Sequence, residues 1–330
     1  MTATVIVLAM ALAAQTVAQA QPAPATAQPV RRDAATFAVQ VALDRAGFSP
    51  GVIDGRKGQN TDRAAEAYRQ QHGADIEPSA EPLVQYQVTA EDTAGPFAQT
   101  IPDDLIEQSK LPALSYRSVE EELGERFHTT ADVLKRLNPA ATFAAGDTIL
   151  VPNVEPFQLP APAAETTSPN PVAAKGADAG RSRPAGTTGA TEAPAVVVRV
   201  SRAASALTVT GQDGKIVFYA PVTTGSEKDP LPVGEWKVNG VQYNPAFRYN
   251  PALFWDADPS HTKAKIPPGP NGPVGVAWID ISKEHYGLHG TPEPSQIGRT
   301  ESHGCIRLTN WDVMRLAKLV RPGAPVIFTE

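Results

Sequence analysis

The sequence predicts a multidomain protein: a small α-helical module, an α+β module, and a C-terminal β-rich domain, a mixed β-sandwich with one main helix. Three observations predict it. At 330 residues the chain is too long for one small domain, and length alone suggests two or three. Apolar residues recur at helical spacing in the first half, whereas the last part sets runs of Val, Ile, Thr, Phe and Tyr between turn residues. Between them, residues 155–194 are mostly Pro, Ala, Gly, Ser and Thr, which bury too little surface to fold and so read as a linker. A net charge of −6 with no Lys/Arg block argues against nucleic acid or an anionic membrane surface as the partner.

Residues 1–20 read as a signal peptide. An apolar run from Val5 to Ala14 precedes Ala18-Gln19-Ala20, a small-residue cleavage pattern, and is too short to span a bilayer. No Lys or Arg precedes the run, a departure from the usual signal, and no cysteine follows it to carry a lipid. The expectation is export. Exported proteins commonly use cysteines in pairs, yet this chain has one, Cys305. A lone cysteine is usually buried and inert, but Ser302, His303, Gly304 and Arg307 are not core-like neighbours.

The helical module spans 33–78. Phe37, Val41 and Leu43 begin a helical pattern that ends at Gly47, "SPGVIDGRKG" is a loop, and Thr61 is placed to cap a second helix with Ala64, Ala65 and Tyr68 inward. Gly47, Phe48, Pro50, Gly51, Asp54, Gly55 and Gly58 resemble the loop pattern of a peptidoglycan-binding module, with Lys57 where an apolar residue is usual. The α+β module spans 84–154, with two short helices that turn Leu123, Phe127, Val133, Leu134 and Leu137 inward and a closing strand at Ile149 to Val151. Asn138, Gly146, Asp147 and Pro152 resemble the LysM signature, with "YQVT" at 86–89 as the opening strand. Residues 92–115 then intervene before the first helix, a departure that bears against glycan binding.

The domain at 196–330 opens with strands joined by a "QDGK" hairpin and continues with strands at "GEWKVNGV", "VGVAWIDI" and "HYGLHG". Its main helix is "TNWDVMRLAKLV", capped by Thr309 with Asp312 at the third helical position and Val313, Leu316, Ala317 and Val320 inward. "RPG" stops it before a last strand, "APVIFTE".

For Cys305 to react, its proton needs an acceptor, since a free thiol with a pKa near ~8.5 is only slightly ionised at neutral pH. His289, His303 and, less suitably, His285 are the local imidazoles, and strand alternation puts His285, Gly287 and His289 on one face. His303 shares a tight turn with the thiol, which suits a role in shaping the site. Gly304 permits unusual backbone angles, and the N–H groups around Gly304 and Cys305 are placed to face a developing oxyanion. Arg307 suits two-pronged carboxylate binding. A zinc site of His285, His289, His303 and Cys305 is the rival, disfavoured by the strand pattern and by the lack of an accompanying acidic base. The absence of a C-x-x-C pair disfavours a redox role. His72, His128 and His261 read as solvated or helix-terminal, and Trp255 and Trp278 as core or cleft lining.

"HGTPEPSQIGRTESHGCIRL", with "LPVGEW" at 231–236 and "PPGPNGPVGVAW" at 267–278, resembles the L,D-transpeptidase (YkuD-like) catalytic domain over 196–330. Leu231 stands where that family has Thr or Ala. The resemblance implies Cys305 as nucleophile and His289 as general base. It places Gly290, Ser302, His303 and Gly304 at supporting or oxyanion positions, and Arg307 at a substrate-binding one. It implies a cell-wall enzyme of the periplasm that cleaves the diamino acid–D-Ala bond of a stem tetrapeptide, then passes the thioester to an amine of another stem, a 3→3 cross-link. Stem peptides are the implied partners, with glycan strands and an outer-membrane lipoprotein as further ones, and no nucleic acid. No cofactor and no metal are implied. Transfer to a lipoprotein lysine or to water (an L,D-carboxypeptidase or lipoprotein-releasing hydrolase) is the alternative, and a catalytically silent peptidoglycan-binding protein is the alternative of another class.

Overall fold

A computed structural model describes residues 29–159 and 196–330. The signal peptide expected at 1–20 and most of the linker expected at 155–194 lie outside the described residues.

The helical part pairs α1 (Pro29–Arg45) with α2 (Gln59–His72). Gly47 turns the chain out of α1 with φ +85°, a left-handed conformation that suits glycine. The cap of α2 is Gly58, which has no side chain to offer. Thr61 is therefore not the cap; it sits inside the first turn, and its hydroxyl accepts from the Gln40 amide at 3.1 Å. The same Gln40 accepts from the N–H groups of Asp54 (3.0 Å) and Gly55 (2.8 Å), so one buried amide holds the glycine-rich loop to both helices.

In the α+β part, β1 (Leu83–Gln87) pairs antiparallel with β2 (Thr148–Pro152). The first strand thus starts three residues before the expected "YQVT". A short α3 (Leu105–Gln108) lies within the intervening segment, followed by α4 (Val119–Arg126) and α5 (Ala131–Leu137). Ser118 and Thr130 cap the last two through their hydroxyls. Two of the motif residues are engaged by the fold itself. Asn138 exchanges two hydrogen bonds with the Leu150 backbone (2.7 and 2.8 Å), and Asp147 accepts from the Thr142 amide (3.0 Å) and hydroxyl (2.8 Å).

The C-terminal part contains β3 (Val197–Ser201), β4 (Ala206–Thr210), β5 (Ile216–Pro221), β6 (Gly234–Tyr243), β7 (Phe247–Tyr249), β8 (Ala264–Ile266), β9 (Ala277–Ile281), β10 (Gly287–His289), β11 (Ile306–Arg307), α6 (Asn310–Leu319) and β12 (Pro325–Thr329). Strands β7 and β8 form a separate hairpin; the others order as β11-β10-β9-β6-β12-β3-β4-β5, with β10/β11 and β12/β3 parallel. In place of the expected sandwich of two sheets, these strands form one curled mixed sheet, with one strand serving both halves. The register of β6 shifts between Val238 and Gly240, its earlier residues pairing with β12 and its later ones with β9. Leu207, Val209 and Phe218 from one half meet Ile279, Leu288 and Ile306 from the other in a single core that α6 completes with Trp311, Val313 and Leu316. Thr309 caps α6 as expected, accepting from the Asp312 N–H.

The parts do not keep separate cores. Leu43, Phe48 and Ala64 cluster with Ala206 and Tyr219 of the β-rich domain, while Phe37, Val41 and Ile53 join the core of the α+β part. Backbone bonds from Ser49 N–H to the Tyr219 carbonyl (2.9 Å) and from Tyr219 N–H to the Gly47 carbonyl (2.8 Å) extend the edge of β5. Polar groups are buried across the same seam. The Asp44 carboxylate accepts from Arg315 (2.8 Å) and faces the His128 ring (3.0 Å), so α1, the α4–α5 turn and α6 meet at one anion. His128 is accordingly buried and stacked on Trp311 rather than solvated. The expected linker begins late, because Phe157 is buried in the C-terminal core and its N–H donates to the Arg126 carbonyl at 2.7 Å. No helix among the described residues is long and apolar enough to cross a membrane.

Candidate active site

Strands β10 and β11 set the site. Leu288 lies opposite Ile306 and His289 opposite Arg307, and both Leu288 and Ile306 enter the core. Alternation then sends Gly287, His289 and Arg307 to the other face, with Cys305 one residue before β11. Cys305, His289 and Arg307 all line a cleft of about 1100 Å³. His285 does not share that strand face. It has φ +68° in the turn before β10, and its ring faces Glu284 at 3.3 Å. Its carbonyl, not its ring, meets the thiol, accepting the S–H with Sγ···O at 3.8 Å.

The His289 ring is 4% exposed and stacks on Trp278, centroids 5.5 Å apart. Its Nδ1 lies 2.7 Å from the Gly290 carbonyl oxygen. A carbonyl can only accept, so Nδ1 carries the proton and Nε2 keeps a lone pair. Burial, aided by the Arg307 charge, pushes this imidazole down to about 3. The Cys305 thiol is pushed up by burial, against smaller opposing effects of the Gly287 N–H and Arg307. At neutral pH the site therefore holds a neutral thiol and a neutral imidazole. No hydrogen bond joins Sγ to the imidazole in this structure; the two sit on one face, offset along neighbouring strands.

The turn before Cys305 is held from several sides. Ser302 is buried, donates its hydroxyl to the Cys305 carbonyl (2.6 Å), and pairs its N–H with the Thr224 carbonyl (3.0 Å). Gly304 has φ +98°, and a β-carbon there would come within 2.7 Å of the Tyr286 ring. His303 turns away from the thiol, its Nε2 2.9 Å from Asp256 and its ring edge-on to Phe254. It ties the turn to the 250–258 loop. Arg307 forms ladder bonds with Thr223 through its backbone, and no described residue hydrogen-bonds or ion-pairs with its guanidinium. Gly290 packs so closely on Asn310 that a β-carbon would lie 2.2 Å from Oδ1.

Among the described residues no group of His, Cys, Asp or Glu side chains is arranged to hold a metal ion, and His285, His289 and His303 point to three different partners. Trp278 lines the cleft behind His289, while Trp255 is 57% exposed with the Lys228 ammonium 3.5 Å from its ring centre. Sequence reasoning missed a wall of the cleft. Asp103, Asp104 and Leu105, from the segment that interrupts the α+β pattern, line it together with Tyr249 and Phe254. Leu114 anchors that segment, with its N–H on the Pro268 carbonyl and its own carbonyl accepting from Asn271, both at 3.0 Å. The only sign in the sequence was an insertion the helix-and-strand pattern could not use.

A β-rich domain that presents one thiol and one lone-pair imidazole on a cleft wall holds the two side chains that cysteine acyl transfer uses. The comparisons make this specific: residues 195–328 match the family model YkuD, the L,D-transpeptidase catalytic domain. A Bacillus licheniformis protein named L,D-transpeptidase YkuD is 52% identical over 62 residues, covering 19% of this chain and 38% of its own length. The Bacillus subtilis protein of that name is 32% identical over 129 residues, covering 39% and 63%. The Escherichia coli protein named L,D-transpeptidase YbiS is 39% identical over 119 residues, covering 34% and 38%. The chain thus spans less than two thirds of the length of these relatives. Among solved structures, an L,D-transpeptidase from Mycobacterium smegmatis shows 21% identity and a TM-score of 0.35, covering 42% of this chain and 59% of that one.

Proposed function

We propose that the protein is an exported, periplasmic cell-wall L,D-transpeptidase. Cys305 Sγ attacks the carbonyl of the diamino acid in a stem tetrapeptide while His289 Nε2 takes the S–H proton. The N–H groups of Gly304 and Cys305 face the developing oxyanion. Collapse of the tetrahedral adduct breaks the bond to the terminal D-Ala, whose nitrogen takes the proton from His289, and a thioester remains. An amine of a second stem then attacks, His289 accepts its proton and returns one to the departing sulfur, and a 3→3 cross-link results. The thioester retains the energy of the peptide bond, so the transfer needs no nucleotide.

The supporting residues have matching tasks. Gly290 fixes the tautomer, Ser302 and His303 brace the turn, and Arg307 binds a substrate carboxylate with its free guanidinium. One observation carries the reading: the Gly290 carbonyl leaves the proton-accepting nitrogen of His289 unprotonated on the cleft face that also bears Cys305. A neutral pair suits proton transfer during attack rather than a standing thiolate.

The test is incubation with a disaccharide-tetrapeptide donor followed by mass spectrometry. A thioester on the Cys305 peptide, release of D-Ala and 3→3 dimers are expected. Cys305→Ala and His289→Ala should each lower D-Ala release by at least ~10³-fold in folded protein. Adducts elsewhere, or attachment to a lipoprotein lysine with no dimers, would defeat the cross-linking assignment.

A further inference from the structure

The carboxyl of Glu125 is buried, belongs to α4 of the α+β part, and takes no part in the acyl transfer just described. It reaches into the catalytic domain. Asn310, the first residue of α6, donates its side-chain amide to both Glu125 oxygens at 3.0 Å and to the Pro270 carbonyl at 3.1 Å. The Tyr116 hydroxyl donates to the same carboxyl at 3.1 Å. With Nδ2 so held, the Asn310 carbonyl has one orientation, and its Oδ1 accepts from the Val276 N–H at 3.2 Å. That oxygen also presses on the α-carbons of Gly275 and Gly290, where a β-carbon would come within 2.1 and 2.2 Å. Gly290 is the residue whose carbonyl holds the His289 proton in place. A continuous set of contacts therefore runs from the accessory α4 through Asn310 to the imidazole.

We propose that Glu125 is a positioning residue for His289, lent to the catalytic domain by the α+β part and acting through Asn310 on the Gly290 carbonyl. The proposal rests on the assignment of His289 as the base. Its consequence is that docking of the N-terminal half completes the active site, and the catalytic domain alone holds its imidazole loosely. Burial pushes the Glu125 carboxyl up to about 8, so it is uncharged at neutral pH, and glutamine is then its nearest substitute. Leucine fills similar space and removes the acceptor that orients Asn310.

The experiment uses the full chain with Glu125→Leu and Glu125→Gln, each followed by donor kinetics, by iodoacetamide alkylation of Cys305 across pH, and by thermal melting. In Glu125→Leu, kcat should fall about tenfold or more with KM nearly unchanged, since a small misplacement of a base costs that much. The alkylation profile should shift to higher pH as the imidazole ceases to assist. Glu125→Gln should restore both to within about twofold of the parent. A Glu125→Leu protein that melts lower yet keeps the parent kcat and alkylation profile would overturn the proposal, as would equal losses in both variants. If the parent protein releases no D-Ala from any donor, the transpeptidase reading fails by itself, while the alkylation profile still decides what Glu125 does to the thiol–imidazole pair.

Discussion

At the scale of single residues, the site depends on backbone that only certain side chains allow. Gly304 holds a left-handed conformation, and the Tyr286 ring lies 2.7 Å from where a β-carbon would sit. Any β-carbon there meets both a φ cost and a clash, and the turn presents Cys305 with its flanking N–H groups. Gly304→Ala should therefore lose about 1–3 kcal/mol in urea unfolding. Its D-Ala release should fall further than stability explains, because the thiol moves with the turn. Near-parental kinetics would show that the turn adjusts freely. The shared cleft face of Cys305, His289 and Arg307 was legible in the sequence because period-2 alternation and the compact "SHGC" stretch are local. His285 was misplaced on the strand face for the same reason. Alternation assumes the strand has already begun, and the φ +68° that delays it to Gly287 leaves no mark on a His–Tyr–Gly sequence.

At the scale of elements, the strands, the α6 cap and the α4–α5 pair follow from patterns read within a dozen residues. The insertion does not, since its partners are distant in sequence. Its apolar residues Ile101, Leu105, Ile106 and Leu111 pack on the β7–β8 hairpin with Leu114, Tyr249, Ile266 and Phe254. The Asp104 carboxylate pairs with His261 at 2.9 Å, and His261 in turn bonds the Tyr249 hydroxyl at 3.0 Å. A segment that looked superfluous in a glycan-binding module is one wall of the cleft that Cys305 and His289 line. Leu105→Ala, at a half-buried position in this wall, should cost about 1–2 kcal/mol in stability. It should also raise KM for the stem peptide several-fold while leaving Cys305 alkylation unchanged, as steady-state and alkylation assays on the same preparation would read. An unchanged KM would mean that the wall never meets substrate.

At the scale of the whole molecule, proline-rich composition suggested tethered and independent parts, whereas the described residues pack as a body with shared cores. Composition reports where a chain can be flexible, but docking surfaces are made by residues such as Asp44, Ser49, Glu125 and Asn310, which in sequence pass for ordinary polar helix and turn positions. Their burial has a pH consequence. Desolvation pushes Glu125 up to about 8 and Asp312 up to about 7, Asp312 sharing its site with Arg315, Asp44 and the Ser49 hydroxyl, which donates at 2.9 Å. In the unfolded chain both carboxyls ionise in the ordinary range, near 4.5 and 3.8. Between those values and the folded ones the native state holds protons that the unfolded state has released, so the contribution of these two carboxyls to stability declines as pH rises through the window and levels off above about 8. Each group contributes a slope of up to about 1.4 kcal/mol per pH unit. Asp44 acts in the opposite sense, since His128 and Arg315 overcome its burial and hold its carboxyl well below the usual range; its contribution is complete above the unfolded value and is lost only in strong acid. The buried His289 and His128 act in the opposite sense, but only below their unfolded value of 6.5, so thermal melts of the full chain should run higher at pH 7 than at pH 8.5. Glu125→Gln, which cannot ionise, should flatten the upper part of that slope while leaving the Asp312 part in place. A melting temperature that does not fall between pH 7 and pH 8.5 would mean that the seam binding the N-terminal half to the catalytic domain is hydrated in solution, and the carboxyls in it ionise as they do on a surface.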